Sequence, residues 1–281
     1  MSDTAVRVRE LRKKYGDVTA VDGIDLDIAR GEVFALLGPN GAGKTTTVEI
    51  LEGHRRRDGG EVSVLGEDPS RAGRTWRSKL GIVLQSATDA AEFTVRETVH
   101  HFATYFPRPR DPESVIELVG LSGKADARIR NLSGGQRRRV DVALGVVGSP
   151  ELLFLDEPTT GFDPEARRQF WSLISLLASE GTTIVLTTHY LDEAEALADR
   201  VGVIAAGRVV AVGDPATLAG RAEAEATVCW STPDGERRIK TSSPTKVVAE
   251  LIAQFDGEIP DLTVTRPTLE DTYLGLIGEH P

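Results

Sequence analysis

The sequence predicts an α/β fold built around a parallel sheet, and three observations carry that expectation. Over residues 6–28 the apolar positions recur at every second place (Val6 and Val8, then Val18, then Ile24, Leu26 and Ile28), with turn residues at Tyr15-Gly16-Asp17 and Asp22-Gly23 between the groups. That spacing predicts an antiparallel meander. After it come short, wholly apolar runs alternating with helical stretches, the pattern of a parallel sheet covered on both faces. Four of these runs end on polar or glycine-rich chemistry. Residues 33–37 lead into a glycine-rich loop, 82–84 end at Gln85, 152–155 at Asp156-Glu157, and 183–188 at His189. In parallel strands these ends share the carboxyl edge of the sheet, where open α/β sheets bind their ligands.

The elements follow in order. Residues 92–150 lose the strand pattern and read as a helical insertion, with one helix opening at Asp111-Pro112 as N-cap and N1. Its last helix starts at Ser133-Gly134-Gly135-Gln136, which has capping-box spacing, and carries Val140, Leu144 and Val147 on one face. A later helix has Asp163 as N-cap and Pro164 at N1, turns Trp171, Ile174 and Leu177 inward, and stops at Gly181. Beyond Gly220 the rhythm resets. Strands at 226–230 and 237–240 flank a Pro233-Asp234-Gly235 turn, then come a helix at 246–255, a strand at 262–265 and a helix at 268–277. This divides the chain into a domain of residues 1–220 and a small accessory domain of residues 221–281, a division under which truncation after Gly220 is expected to spare the first domain's ligand site.

Composition narrows the class. The 281 residues suffice for about two domains. With 40% hydrophobic and 27% charged residues, the chain is a globular protein rather than a disordered or fibrous one. Acidic residues outnumber basic ones, 43 to 33, and the net charge of −10 disfavours non-specific attraction to nucleic acid or to an anionic membrane. The single cysteine, Cys229, has no partner for an intrachain disulfide, which fits a reducing, cytoplasmic compartment. Residues 1–10 alternate charges with valines and do not read as a secretory signal. The most apolar stretch, 201–212, is too short to span a bilayer and contains Arg208. Any membrane role is therefore expected to come through a partner.

The chemistry centres on Gly38-Pro39-Asn40-Gly41-Ala42-Gly43-Lys44-Thr45, placed after an apolar strand and before a helix that starts at Thr46. Glycines let successive backbone N–H groups face phosphate oxygens, and the helix adds the positive end of its dipole. Lys44 is expected to reach the β and γ phosphates and the Thr45 hydroxyl to ligate Mg²⁺. The plainer alternative is a glycine-rich turn that carries a lysine. Asp156 and Glu157 close a buried strand, and neighbouring strand residues point to opposite faces, so they suit different tasks. Asp156 suits Mg²⁺, and Glu157 suits orientation and deprotonation of an attacking water.

At Leu132-Ser133-Gly134-Gly135-Gln136 the sequence resembles the signature motif of the ATP-binding cassette (ABC) ATPases. Tyr15, the phosphate loop, Gln85, the signature, Asp156-Glu157, Asp163 and His189 occur in that family's order over residues 4–220. The resemblance implies the P-loop NTPase fold of the ABC ATPases, with a parallel core sheet, an antiparallel β subdomain, a helical insertion and, here, a small C-terminal α+β domain. It implies that Tyr15 stacks on adenine, Gln85 contacts Mg²⁺, and Ser133, Gly134, Gly135 and Gln136 close on nucleotide held by another protomer. Asp163 belongs to the same nucleotide-binding set, and His189 matches the switch histidine at the γ-phosphate. Thr160-Gly161-Phe162-Asp163 departs from the more usual Ser-Ala-Leu-Asp, and Arg137-Arg138-Arg139 is more basic than usual. Both that run and His54-Arg55-Arg56-Arg57 read as solvated surface, with a partner contact as the sharper alternative for the first.

The segment 188–195 and the tail 266–274 resemble the ATP-binding subunits of bacterial drug exporters of the daunorubicin-resistance type. That implies an ATPase using ATP and Mg²⁺, forming a homodimer or pairing with a similar subunit, and seated on the inner face of the membrane through an integral permease. A cassette acting on nucleic acid or ribosomes usually carries two cassettes or a long coiled coil, and neither is present. A non-hydrolysing regulatory cassette would have no need of Lys44, Asp156, Glu157 and His189 together.

Overall fold

A computed structural model describes residues 3–84, 92–255 and 257–278. The chain opens with β1 (Thr4–Tyr15) and β2 (Val18–Ala29), followed by β3 (Val33–Leu37), α1 (Lys44–Leu51), β4 (Gly59–Val64), α2 (Arg74–Arg77) and β5 (Leu80–Val83). The insertion contributes α3 (Val95–Ala103), α4 (Pro112–Leu118) and α5 (Gly134–Val146). The core resumes with β6 (Leu152–Asp156), α6 (Pro164–Ser179), β7 (Thr183–Thr187), α7 (Leu191–Leu197), β8 (Arg200–Ala205) and β9 (Arg208–Gly213). The C-terminal part holds β10 (Ala226–Thr232), β11 (Gly235–Thr241), α8 (Pro244–Phe255), β12 (Thr263–Thr265) and α9 (Leu269–Gly278). This is the P-loop ABC ATPase fold.

The central sheet runs β5-β6-β7-β3-β8-β9, parallel except for its last strand. Its inner strands β6, β7, β3 and β8 are almost wholly buried because both faces are covered, while the edge strand β9 is partly exposed. Along β3, Val33, Ala35 and Leu37 enter the hydrophobic cluster that holds the insertion and α6, while Phe34 and Leu36 enter the cluster beneath the antiparallel sheet. β9 departs from an all-parallel reading: it folds back on β8 through Ala206-Gly207, whose positive φ angles of 47° and 76° make the reversal.

The antiparallel sheet has the order β2-β1-β4. Here the structure corrects the expected turn at Asp22-Gly23, since β2 runs through both residues with irregular register. Asp22 is held there by Arg12 (2.6 Å) and Arg208 (2.6 Å), and its N–H donates to Gly207 O at 2.8 Å. The third strand, β4, was not legible because its glycines and Glu61 break the apolar alternation.

The expected N-caps are all present. Asp111 caps α4 with Pro112 at N1, Ser133 and Gln136 form a reciprocal capping box on α5, and Asp163 caps α6 with Pro164 at N1. Ile174 and Leu177 are fully buried, whereas Trp171 is half-buried at the edge of the same cluster. The C-terminal sheet, order β11-β10-β12, has its own small core of Val228, Trp230, Leu251 and Ile259. Helix α9 packs elsewhere. Leu269 is completely buried in the large cluster that also holds the helical insertion and α6, with Tyr273, Leu276 and Ile277 against it.

Candidate active site

The phosphate loop is shaped by close backbone packing. A side chain at Gly43 would place its Cβ 2.3 Å from Ala20 O, and one at Gly38 would sit 2.3 Å from Ile204 O. Glycine is thus required for the loop to lie between the β2 hairpin and β8. Gly43 also takes a left-handed conformation (φ 102°) at the start of α1, where no side chain caps the helix. Its first amides remain available to an anion.

Lys44 is buried and donates from Nζ to Gly38 O (2.6 Å) and Pro39 O (3.1 Å). Burial pulls its pKa below the ordinary lysine value, and the charges of Glu157 and Asp156 oppose the shift. Carbonyl oxygens solvate the ammonium here, and an anionic ligand would do so better.

Asp156 ends β6 beside β7 and accepts a short hydrogen bond from the Thr187 hydroxyl. Glu157 follows in a left-handed conformation (φ 44°), and its N–H donates to Thr187 O at 3.0 Å. A non-glycine residue held there stores about 1–3 kcal/mol of backbone strain, a feature that concentrates at functional sites. The strain turns the carboxylate toward the end of β7, where Glu157 Oε1 lies 3.3 Å from His189 Nδ1. The carboxylate is mostly shielded and the imidazole about half exposed, so the pair sits at the rim of the cleft.

These groups line one cavity of about 780 Å³, together with Gly38, Pro39, Asn40, Gly41, Gly43, Thr45, Thr46 and two residues the sequence reading missed, Ala20 and Tyr273. Ala42 is turned away into the core beside the β2 hairpin. Thr45 and Asp156 carry oxygen donors, the type that magnesium takes, and both line the same space. Gln85 lies outside the described residues.

Tyr15 stands to one side, with its hydroxyl 3.5 Å from Thr46 Oγ1 and Arg55 over its ring at 5.2 Å. It does not line the cavity. Neither do Ser133, Gly134, Gly135 and Gln136, which form the solvent-facing start of α5; the Gln136 side chain accepts from Ser133 N–H at 3.1 Å. Asp163 also points elsewhere, its carboxylate accepting from the amides of Glu165 (3.0 Å) and Ala166 (2.8 Å).

The basic runs are solvated only in part: His54 and Arg56 are exposed, while other members are engaged. Arg138 is buried and links α5 to the ends of two strands: it donates to Asp156 O at 2.7 Å and Pro158 O at 3.2 Å after β6, and through a short contact to Leu84 O after β5. Burial lowers its pKa, opposed by Asp141, Asp156 and Glu193. The clue was present in the sequence, because Arg138 lies one helical turn before Val142 and two before Val146, both buried. In the other run, Arg55 pairs with Glu49 at 2.5 Å and Arg57 makes a two-pronged contact to Asp68 at 2.8 Å.

Two buried carboxyl groups flank the site. Glu52, at the end of α1, has its pKa raised to about 8 by burial and by the charges of Asp156 and Glu49. Glu193 is fully buried on α7 beside Thr159, Thr188 and Trp171, and burial raises its pKa against the opposing influence of those groups.

The fold and site define a P-loop ATPase cassette, with phosphate loop, acidic strand end and histidine at one sheet edge. The ABC transporter family model matches residues 21–160. The daunorubicin resistance ATP-binding protein DrrA3 of Streptomyces coeruleorubidus is 37% identical over 99% of this chain and 98% of its own length. The Nod factor export ATP-binding protein I of Paraburkholderia xenovorans is 43% identical over 78% of this chain and 73% of its own. Among solved structures, cbiO1 from Clostridium perfringens, part of the ABC transporter complex cbiONQ, superposes with a TM-score of 0.69 at 32% identity, covering 76% of this chain and 90% of that one. The chain belongs to the ABC transporter family as one of its ATP-binding subunits.

Proposed function

We propose that this chain hydrolyses ATP to drive an integral membrane permease that exports a drug-like or hydrophobic compound. The observation that carries the ATPase part is the convergence of Lys44, Thr45, Asp156, Glu157 and His189 on one cavity. Export is supported by the names of the two relatives, one a drug-resistance protein and one a Nod factor exporter. Among the described residues no helix is long and apolar enough to cross a membrane, so membrane seating is assigned to the permease.

In this reading the α1 amides and the Lys44 ammonium take the phosphates, Lys44 exchanging the Gly38 and Pro39 carbonyls for phosphate oxygens. Thr45 and Asp156 would hold magnesium, which supplies charge neutralisation at the phosphates. Gln85 is assigned to the same ion. Glu157 accepts the proton of the attacking water, and His189, 3.3 Å from it at rest, turns to the γ-phosphate. Tyr15 takes the adenine at the margin of the loop. The signature tip is exposed and outside its own chain's cavity, which supports completion of each site by Ser133–Gln136 of a second cassette. Asp163 is assigned to that same junction. The cassette is assigned to residues 1–220 and the accessory unit to residues 221–281, with the last helix, α9, packed back onto the cassette core.

The test is Glu157→Gln. The variant is expected to bind ATP, lose hydrolysis by on the order of 100-fold or more, and accumulate an ATP-dependent dimer in light scattering. A wild-type chain that neither binds nor hydrolyses ATP would overturn the proposal.

A further inference from the structure

The cavity that holds the phosphate loop contains one side chain from the far end of the chain, Tyr273. It shares that cavity with Ala20, the phosphate-loop residues, Asp156, Glu157 and His189, while Tyr15 is absent from the lining. No hydrogen bond to another described residue engages the Tyr273 hydroxyl. Desolvation raises its pKa, which keeps the phenol a neutral donor at physiological pH.

Helix α9 is firmly seated. Leu269 is fully buried in the cassette core. Thr268 and Asp271 cap the helix reciprocally, with Thr268 N–H donating to Asp271 at 2.8 Å and Asp271 N–H donating back at 3.1 Å. Arg221 secures the approach by donating to Pro267 O (2.8 Å) and Pro215 O (2.9 Å) and pairing with Glu195 of α7. The helix packs on α7, which starts two residues after His189, and on β8, which neighbours the strand leading into the phosphate loop.

Building on the ATP-site reading above, we propose that Tyr273 is a nucleotide-contacting residue supplied by the C-terminal segment, its hydroxyl donating to the terminal phosphate of bound ATP and thereby tying the seating of α9 to nucleotide occupancy. The small sheet β11-β10-β12 precedes α9 directly and so becomes responsive to whether the site holds a triphosphate. The phenol acts beside Lys44 and His189 as a third donor and takes no proton.

The experiment uses the full chain with Tyr273→Phe, which removes only the hydroxyl, and Leu274→Ala, an exposed position on the same helix, as control. Fluorescent ATP and ADP titrations are paired with hydrogen exchange of residues 268–278 with and without ATP. Tyr273→Phe is expected to weaken ATP binding about fivefold, leave ADP binding and thermal melting unchanged, and reduce the ATP-dependent protection of the helix. Leu274→Ala should match wild type in all four. Equal ATP affinity in Tyr273→Phe and wild type, with exchange of 268–278 indifferent to ATP, would sink the inference. A wild-type chain that binds no ATP would instead sink the reading on which it rests.

Discussion

Two helices begin at motifs marked in the sequence, α1 at the phosphate loop and α5 at the signature-like Leu132–Gln136, and their first turns are built in opposite ways. At α1 the cap is a left-handed glycine without a side-chain hydrogen bond, the amides face a cavity, and a buried lysine waits on carbonyl oxygens. At α5 the serine and glutamine side chains close the helix end on itself and the tip faces solvent. An open N-terminus beside a cation is a complete anion site within one chain. A closed, exposed one offers its serine and glycines only to something brought against it. The contrast explains how motifs equally plain in the sequence can differ in whether a single chain suffices to use them.

The largest expected effect breaks the open end. Lys44→Ala removes the cation that the α1 amides cannot replace, and hydrolysis should fall on the order of 100-fold or more, with nucleotide binding lost in a fluorescence titration. Turnover at the wild-type rate would remove Lys44 from the site. Next in size is the tie between α5 and the strand ends beside the cavity. Arg138→Ala leaves the carbonyls of Leu84, Asp156 and Pro158 without their donor, and urea denaturation should register a loss of about 3 kcal/mol. Arg138→Lys, which cannot reach three carbonyls from one planar group, should recover only part of it.

Glu52 sharpens the comparison by pH, because it sits at the closing end of α1. Folding raises its pKa from an ordinary value near 4.5 to about 8. Its protonated form is therefore favoured in the folded state. The contribution to stability is whole below pH 4.5 and is lost as pH rises through about 8. Glu52→Gln keeps the shape without the titration, so its stability should fall less than wild type between pH 5 and 8, by a few kcal/mol, as read from denaturation midpoints across that range. Parallel curves for the two proteins would show that Glu52 ionises freely in the fold. The smallest effect belongs to the closed end. Ser133→Ala opens the capping box and should lower stability by about 1 kcal/mol, visible as a shift in melting temperature of a few degrees.

Much of this molecule was determined by its sequence alone. The α/β class, the phosphate loop, the paired acids at a strand end, the helical insertion and the three N-caps all follow from local rules: side-chain period, glycine spacing and the few residue types that satisfy a helix end. Such rules act over one turn or one strand and survive without knowledge of neighbours. The tertiary structure decided which of the marked groups meet. It turned Ala42 into the core, committed the Asp163 carboxylate to backbone amides, buried Arg138 against the ends of two strands, and ran β2 through an apparent turn because Arg12 and Arg208 hold Asp22. It also brought Tyr273 to the phosphate loop from the opposite end of the chain. These outcomes depend on strand order and on packing between segments far apart in sequence, and no periodicity within a segment encodes the distance to another.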